Sequence, residues 1–321
     1  MILSTMTSTP MKVGFRTKCK THFKMFYKSR YLLLLLIPGV IYYLIFHYIP
    51  MYGIIISFKN FNIFDGIWGS PWADQFGFEH FIDLFKSNSF FRALKNTVTL
   101  SLLQIAFTFP APIILALSLN ELRNGLWKKT IQTVSYLPHF ISTVVICGIV
   151  FNLLSSNGIV NTLINLFGGE TIRFMIRPEY FRWIYVISEV WQKAGWNSII
   201  YAAALATVDV ELYEAAKLDG ANRWQRMCNI DFPAIIPTAI ILLIFNIGGI
   251  MTMGFEKVLL LYTPSTQETA DVIGTYVYRR GIVGADFSFS TAAGLFQSAI
   301  GFLLIVGTNR LAKKFGEISL W

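Results

Sequence analysis

The chain has 321 residues, of which 54% are hydrophobic and only 14% are charged, with a net charge of +9. A soluble domain carries roughly 25% charged residues, so the composition argues against one. The apolar residues are also clustered, and residues 31–46 and 96–120 contain no charge at all. A spanning helix needs roughly 20 apolar residues. The sequence therefore predicts an all-α integral membrane protein.

In chain order, the sequence first shows a basic segment over residues 1–30 and then a transmembrane domain over 31–321. The first apolar stretch has no A-x-A cleavage signature, so we interpret it as a retained span. Backbone groups must be satisfied internally in lipid, so each span is predicted to be a helix. We predict about six spans, at approximately 31–57, 96–120, 130–154, 183–206, 234–254 and 290–308. Proline inside a helix produces a kink, and the first three spans are predicted to kink at Pro38, Pro110, Pro112 and Pro138.

The distribution of Lys and Arg predicts the orientation of these spans. If the N-terminus is cytoplasmic, the inner connections hold 16 basic residues and the outer ones hold 10. The acidic residues show the opposite bias, with 7 inside and 10 outside. By the positive-inside rule both termini are predicted to be cytoplasmic. The long outer connections, 58–95 and 255–289, are predicted to form external segments.

The basic segment carries Lys and Arg but no acid. Such a run can bind nucleic acid, but next to a first span it is more simply a topology signal that also binds anionic lipid head groups. We therefore predict a bilayer partner and no nucleic acid.

The predicted fourth span carries a polar stripe. Its members recur at offsets typical of one helical face, and they are Glu189, Gln192, Lys193, Trp196 and Asn197. Charges in a span are costly, so the stripe should face the bundle interior or water. Two interpretations stay open, namely a Glu189–Lys193 ion pair that fixes helix packing, and a path for cargo. Asn246, beside Gly248 and Gly249, could add a polar contact from the fifth span.

The inner connection 207–233 holds the most specific pattern in the chain. Asp209 can cap a short helix, and Gly220 can adopt the left-handed conformation that ends it. A second short helix is predicted from Asn222 to about Asn229, with Pro233 closing it. One interpretation is a connector that merely lies on the membrane.

The spacing of this loop resembles a known motif. Glu214, Ala215 and Ala216 are followed after three residues by Gly220, and after nine more by Ile230-x-Phe232-Pro233. This is similar to the EAA motif, EAA-x3-G-x9-I-x-L-P, of the permeases of type I ABC importers, with Phe232 in place of the Leu. Asp219 and Ala221 also fit the common D-G-A form. Permeases for complex oligosaccharides, related to the maltose permeases, share further segments: 48–53 (YIPMYG), 254–256 (GFE), 271–279 (DVIGTYVYR) and 319–321 (SLW).

The resemblance implies a bacterial plasma-membrane importer of oligosaccharides. It implies as partners a second permease, two cytoplasmic ATPase subunits that use ATP and Mg, and an extracytoplasmic solute-binding protein that contacts the outer loops. It implies that the loop forms coupling helices, with Glu214 to Ala221 transmitting ATPase closure and with Glu214, Asp219 and Arg223 fixing the register. The stripe of the fourth span and Asn246 would then form a polar and aromatic wall for sugar, unless the second permease holds most of the sugar contacts.

No phosphate-binding loop, catalytic triad or metal-ligand spacing occurs in the sequence, so the chain is predicted to bind no cofactor or metal and not to be an enzyme on its own. Two alternatives belong to other classes. One is an ion-coupled transporter with Glu189 and Lys193 as the relay, and the other is a membrane scaffold or sensor that recruits a partner through the loop. Within the family, the alternative is a permease that transports another solute, such as glycerol phosphate.

Overall fold

The computed structural model describes residues 30–252 and 254–316. The predictions for the basic segment before Arg30 and for the C-terminal 319–321 therefore lie outside the described residues. The chain divides into two compact units, with the boundary between Ile55 and Ile56. In the first unit, helix α1 (Arg30–Tyr43) contains Pro38 and continues through a π-helical turn, Leu44–Tyr48, into a 3₁₀ helix, Ile49–Phe58, whose last three residues belong to the second unit.

The described part of the second unit is a helical bundle. Its main helices are α2 (Glu79–Lys86), α3 (Asn88–Thr108), α4 (Pro110–Glu121), α5 (Leu126–Tyr136), α6 (Thr143–Leu154), α7 (Ile159–Leu166), α8 (Pro178–Leu205), α9 (Val210–Leu218), α10 (Arg223–Gly248), α11 (Phe255–Leu261) and α12 (Phe287–Gly316). Single turns and shorter pieces lie at Gly66–Gly69, Asp74–Gly77, Leu137–Phe140, Phe174–Ile176, Gln267–Ala270, Ile273–Val277 and Tyr278–Val283.

Five helical segments of the described residues are long and apolar enough to cross a membrane. They are Leu33–Phe58, Asn88–Glu121, Thr143–Leu166, Arg223–Gly248 and Phe287–Lys314. The 28-residue helix α8, which corresponds to the predicted fourth span, is not among them. Its length suffices at about 1.5 Å per residue, but its polar stripe lowers the hydropathy.

The predicted third span, 130–154, is wrong as a single helix. Helix α5 ends at Tyr136, a 3₁₀ turn contains Pro138, and α6 begins only at Thr143. Proline removes a backbone donor, and the Ser142 side chain then accepts from the Val145 backbone N–H and starts a new helix. The break places irregular backbone at Ile141 and Ser142 beside α8.

Part of the predicted outer connection 255–289 packs against the helix core. Val258 and Leu261 of α11 are buried and pack in one cluster with Tyr185 and Val186 of α8. A second cluster joins α4, α8 and α10 through Ala116, Tyr201 and Ile235. Helix α8 therefore takes part in both clusters, and the residues that line its polar face are held by packing on either side.

Candidate functional site

The polar stripe of α8 leads into a cavity of about 320 Å³. Three elements enclose it, namely α8, the start of α6 after the broken helix, and the segment that follows α10. Glu189, Gln192 and Lys193 line it, as predicted residues of the stripe. The other lining residues are Thr143, Tyr185, Thr252, Gly254, Phe255, Glu256 and Lys257.

Glu189 is the electrostatic centre of this cavity. Its side chain is 3% exposed, and its two carboxylate oxygens lie 2.6 Å from the Lys193 Nζ and 2.8 Å from the Lys257 Nζ. Lys257 is equally buried, whereas the Lys193 side chain is 45% exposed. A buried carboxylate needs charged or hydrogen-bonding partners. The cavity therefore has a paired, buried side at Lys257 and an accessible cation at Lys193.

A hydrogen-bond chain extends from Glu189 to a neighbouring helix. The Gln104 amide on α3 donates to Glu189 at 3.4 Å, and the Tyr185 hydroxyl donates to the Gln104 carbonyl oxygen at 3.0 Å. Gln192, which is also buried, donates to the Ile141 carbonyl at 3.4 Å, in the break before α6. These bonds tie the stripe to α3 and to the irregular backbone before α6.

The remaining predicted residues of the path lie elsewhere on the bundle. Trp196 is 40% exposed and stacks on His139, with ring centroids 4.5 Å apart. Asn197 is half-buried one residue further on. Asn246 donates to the Leu242 carbonyl of its own helix at 2.8 Å, and it does not line the cavity. The structure thus brings Glu189, Gln192 and Lys193 together and leaves Asn246 apart.

The inner loop forms a separate candidate site. Asp209 caps α9 by accepting from the Glu211 backbone N–H at 3.0 Å. Gly220 then takes a positive φ of +78°, and the Ala221 N–H returns to the Ala216 carbonyl at 2.9 Å, which is the bonding of a Schellman-type C-cap. Glu214, Ala215, Asp219, Gly220 and Arg223 are exposed, and Ala216 and Ala221 are half-buried.

The second half of the loop differs from the prediction. Asn222 and Gln225 form a reciprocal capping box that starts α10, but Pro233 does not close a short helix. The helix passes through a π-helical turn, Met227–Asp231, in which the Phe232 N–H bonds to the Met227 carbonyl. The extra residue of this turn lets Pro233, which has no N–H, sit in the first turn of the regular helix. The loop is therefore continuous with the fifth predicted span.

Several polar residues around the loop were not predicted. The Tyr213 hydroxyl of α9 donates to Asp231 Oδ1, and the Asn120 amide at the end of α4 donates to the same oxygen at 3.3 Å. Burial, together with the hydrogen bond to Asp231, raises the pKa of Tyr213 to about 12, so its hydroxyl stays protonated and donates at physiological pH. Lys257 was also missed, although a lysine in a largely apolar segment, FEKVLLL, is a signal for a buried charge pair.

Comparisons with known proteins agree with this architecture. Residues 87–316 match the family model described as "Binding-protein-dependent transport system inner membrane component". The chain is 47% identical over 295 residues to the polygalacturonan/rhamnogalacturonan transport system permease protein YteP of Bacillus subtilis, covering 92% of this chain and 91% of that protein. It is 45% identical over 295 residues to protein LplB of the same organism, covering 92% of each.

Solved structures show the same fold. A chain from the crystal structure of a bacterial ABC transporter involved in the import of the acidic polysaccharide alginate superposes with a TM-score of 0.84 at 42% identity. The alignment covers 92% of this chain and 99% of that chain. The bacterial alginate transporter has also been solved with an alginate pentasaccharide-bound periplasmic protein, and its chain matches at a TM-score of 0.84 and 41% identity.

Proposed function

Because the chain belongs to the family of binding-protein-dependent transport system inner membrane components, we propose that it is one of two permease subunits of an ABC importer for oligosaccharides. The predictions of an all-α, multi-pass membrane protein and of a transport component without its own catalytic activity are confirmed. The proposal concerns the cargo, the other permease and the ATPase subunits.

The observation that carries the ATPase partnership is the exposed loop with the EAA motif. Helix α9 has no buried residue, and the small Ala215 and the charged Glu214 both face solvent. A short capped helix that ends in a fixed left-handed turn is a rigid knob, which another protein can hold and move. The ATPase subunits, rather than this chain, would bind ATP and Mg. Their closure would pull the bundle toward an outward-open state that receives cargo from the binding protein.

The cavity supports an oligosaccharide as cargo. The half-exposed Lys193 ammonium and the Gln192 amide can donate hydrogen bonds to hydroxyl and carboxylate groups, and the Glu189 carboxylate can accept from hydroxyls. Trp196, one turn further along α8 and outside the cavity lining, is 40% exposed. One relative is named for polygalacturonan/rhamnogalacturonan transport, and a similar solved transporter imports the acidic polysaccharide alginate. Uronate oligosaccharides are therefore the first cargo to test, before neutral sugars or glycerol phosphate.

Co-purification tests the central part of the proposal. The candidate ATPase is recovered with this chain and its partner permease, and wild type is compared with Gly220→Pro and Glu214→Lys. Proline cannot adopt a positive φ, and lysine reverses a charge on the exposed loop. Glu170→Lys, an exposed charge reversal in a predicted outer connection, is the matched control.

We expect ATPase recovery to fall for the two loop variants while the permease pair stays assembled, and to be unchanged for Glu170→Lys. Equal recovery for all variants would refute docking through this loop. Transport that continues without ATP would instead favour the ion-coupled class, and ATPase binding without any solute flux would favour a scaffold.

A further inference from the structure

Helix α9 is attached to the rest of the chain without a buried hydrophobic contact of its own. It has no buried residue, and none of its residues belongs to the buried clusters of the described bundle. Its side chains are exposed except for Tyr213 and Ala216, which are half-buried. Tyr213 is the α9 side chain that hydrogen-bonds to a membrane-spanning helix. The position of α9 relative to the spans thus depends on the short turns at its ends and on this hydroxyl.

The acceptor for Tyr213 is a buried carboxylate. Asp231 is 0% exposed and lies in the π-helical turn that leads into the fifth predicted span. Its Oδ1 accepts from Tyr213 and Asn120, and its Oδ2 accepts from no donor in the part of the chain that the structure describes. A buried charge with few partners is costly, so the donors it has contribute strongly to fixing its surroundings.

Asn120 brings a third element to this point. It is the second-last residue of α4 and lies near the end of the continuous helical segment Asn88–Glu121, which corresponds to the second predicted span. The next residue, Glu121, lies 3.9 Å from Arg226 of α10. The end of α4 therefore contacts the loop at two successive residues. Because α3 and α4 form one helical segment, Asn88–Glu121, a displacement at this end acts on the whole segment.

We propose that Tyr213, Asp231 and Asn120, named here the Asp231 joint, form the link through which α9 moves α4 and α10. They are positioning residues and touch neither cargo nor nucleotide. This inference rests on the proposed function, because it assigns how ATPase closure reaches the spans. Motion of α9 alone transfers no work unless a contact holds it to α4 and α10, which pack against the cavity-lining helix α8. A directional hydrogen bond to a buried carboxylate is such a contact.

The test uses the complete complex, with both permeases and the ATPases, reconstituted in lipid vesicles in a background without native cysteines. A cysteine replaces Thr143, which lines the cavity, and its labelling rate by a membrane-impermeant maleimide is measured with and without ATP and vanadate. The variants are Tyr213→Phe, which removes only the hydroxyl, and Asp231→Asn, which keeps the shape. Tyr180→Phe is the matched control, since Tyr180 is half-buried and contacts Phe174 through its ring.

We expect vanadate trapping to change the labelling rate in wild type and Tyr180→Phe. In Tyr213→Phe the change should be about tenfold smaller, the factor that corresponds to loss of one hydrogen bond to a charged group. ATPase subunits should still co-purify with this variant. Because the joint acts as a unit, the vanadate-dependent change in labelling rate should be little smaller in the double variant Tyr213→Phe/Asp231→Asn than in the more severe single variant.

Other outcomes separate the joint from the proposed function. If Tyr213→Phe shows the full wild-type change in labelling rate, the Asp231 joint does not transmit the motion. The same conclusion follows if the effects of the two substitutions on that change are strictly additive in the double variant. Loss of ATPase recovery in Tyr213→Phe also overturns the Asp231 joint, because Tyr213 would then serve docking rather than transmission. Failure of the wild-type chain to recover an ATPase contradicts the proposed function itself.

Discussion

Lys257 and Glu189 form a buried ion pair, with 2.8 Å between Nζ and Oε1 and both side chains 3% exposed. The two residues belong to α11 and α8, which the sequence assigned to an outer connection and to a span. The pair holds α11 against the bundle at the cavity and neutralises a lysine that would otherwise lie unpaired among apolar side chains. Its role in stability can be tested separately from its role in transport.

Glu189→Gln is expected to destabilise the complex strongly, because it leaves Lys257 as an uncompensated buried charge. Breaking a buried pair on one side costs about 3–5 kcal/mol. The double variant Glu189→Gln/Lys257→Met should be milder, since the remaining cation, Lys193, is half-exposed to solvent. The temperature at which the solubilised complex loses its monodisperse elution gives the measurement. A double variant as unstable as the single one would contradict the pairing argument.

Lys193→Gln is expected to weaken import of acidic oligosaccharides selectively. The side chain is 45% exposed at the cavity, and glutamine keeps a donor while removing the charge that strengthens a hydrogen bond to carboxylate. The trigalacturonate concentration that gives half-maximal import should rise about tenfold, which corresponds to the loss of one charge-assisted hydrogen bond. The same concentration for its methyl ester, which lacks the charge, should change little. An equal rise in this concentration for both compounds would show that Lys193 does not bind the carboxylate.

Substitutions at Gly220 are expected to follow the cost of its left-handed backbone. A Cβ there would meet no other atom within 4 Å. The cost of a substitution therefore comes from the backbone conformation itself, which has a φ of +78°. Asn tolerates this region best among other residues, Ala pays about 1–2 kcal/mol, and β-branched Val is worse. ATPase recovery should therefore fall in the order Gly, Asn, Ala, Val. Recovery in Gly220→Val equal to wild type would mean that the turn is not needed in this conformation.

The sequence predicted the parts of the structure that local patterns determine. Charge-free runs located the apolar spans, the offsets of Glu189 and Lys193 placed them on one face, and Asp209 and Gly220 marked the ends of α9. These features depend on neighbours within about four residues. The prediction that Pro233 closes a short helix was wrong. A π-helical turn, whose backbone hydrogen bond spans one extra residue, carries the helix past this proline.

The partners of the charged and polar groups could not be predicted in the same way. Lys257, Asn120 and Asp231 lie far along the chain from the residues they contact, and a single sequence carries no signal for which distant groups meet. Lys257 and Asp231 each stand in a largely apolar stretch, which indicates a buried partner without naming it. The joint and the buried side of the cavity therefore emerged only from the tertiary structure.

Gly195→Ala is expected to destabilise the bundle through the contact between α8 and α5. A Cβ at this position would lie 1.9 Å from the Ser135 carbonyl oxygen, which is backbone and cannot rotate away, so the helices must separate. Overpacking of this kind costs about 1–3 kcal/mol. Gly148→Ala is the matched control, because a Cβ there meets nothing within 4 Å in the interior of α6, and alanine favours a helix by about 0.5–1 kcal/mol. Thermal unfolding of the two purified variants should therefore shift in opposite directions, and a Gly195→Ala variant as stable as wild type would show that α5 and α8 do not approach this closely.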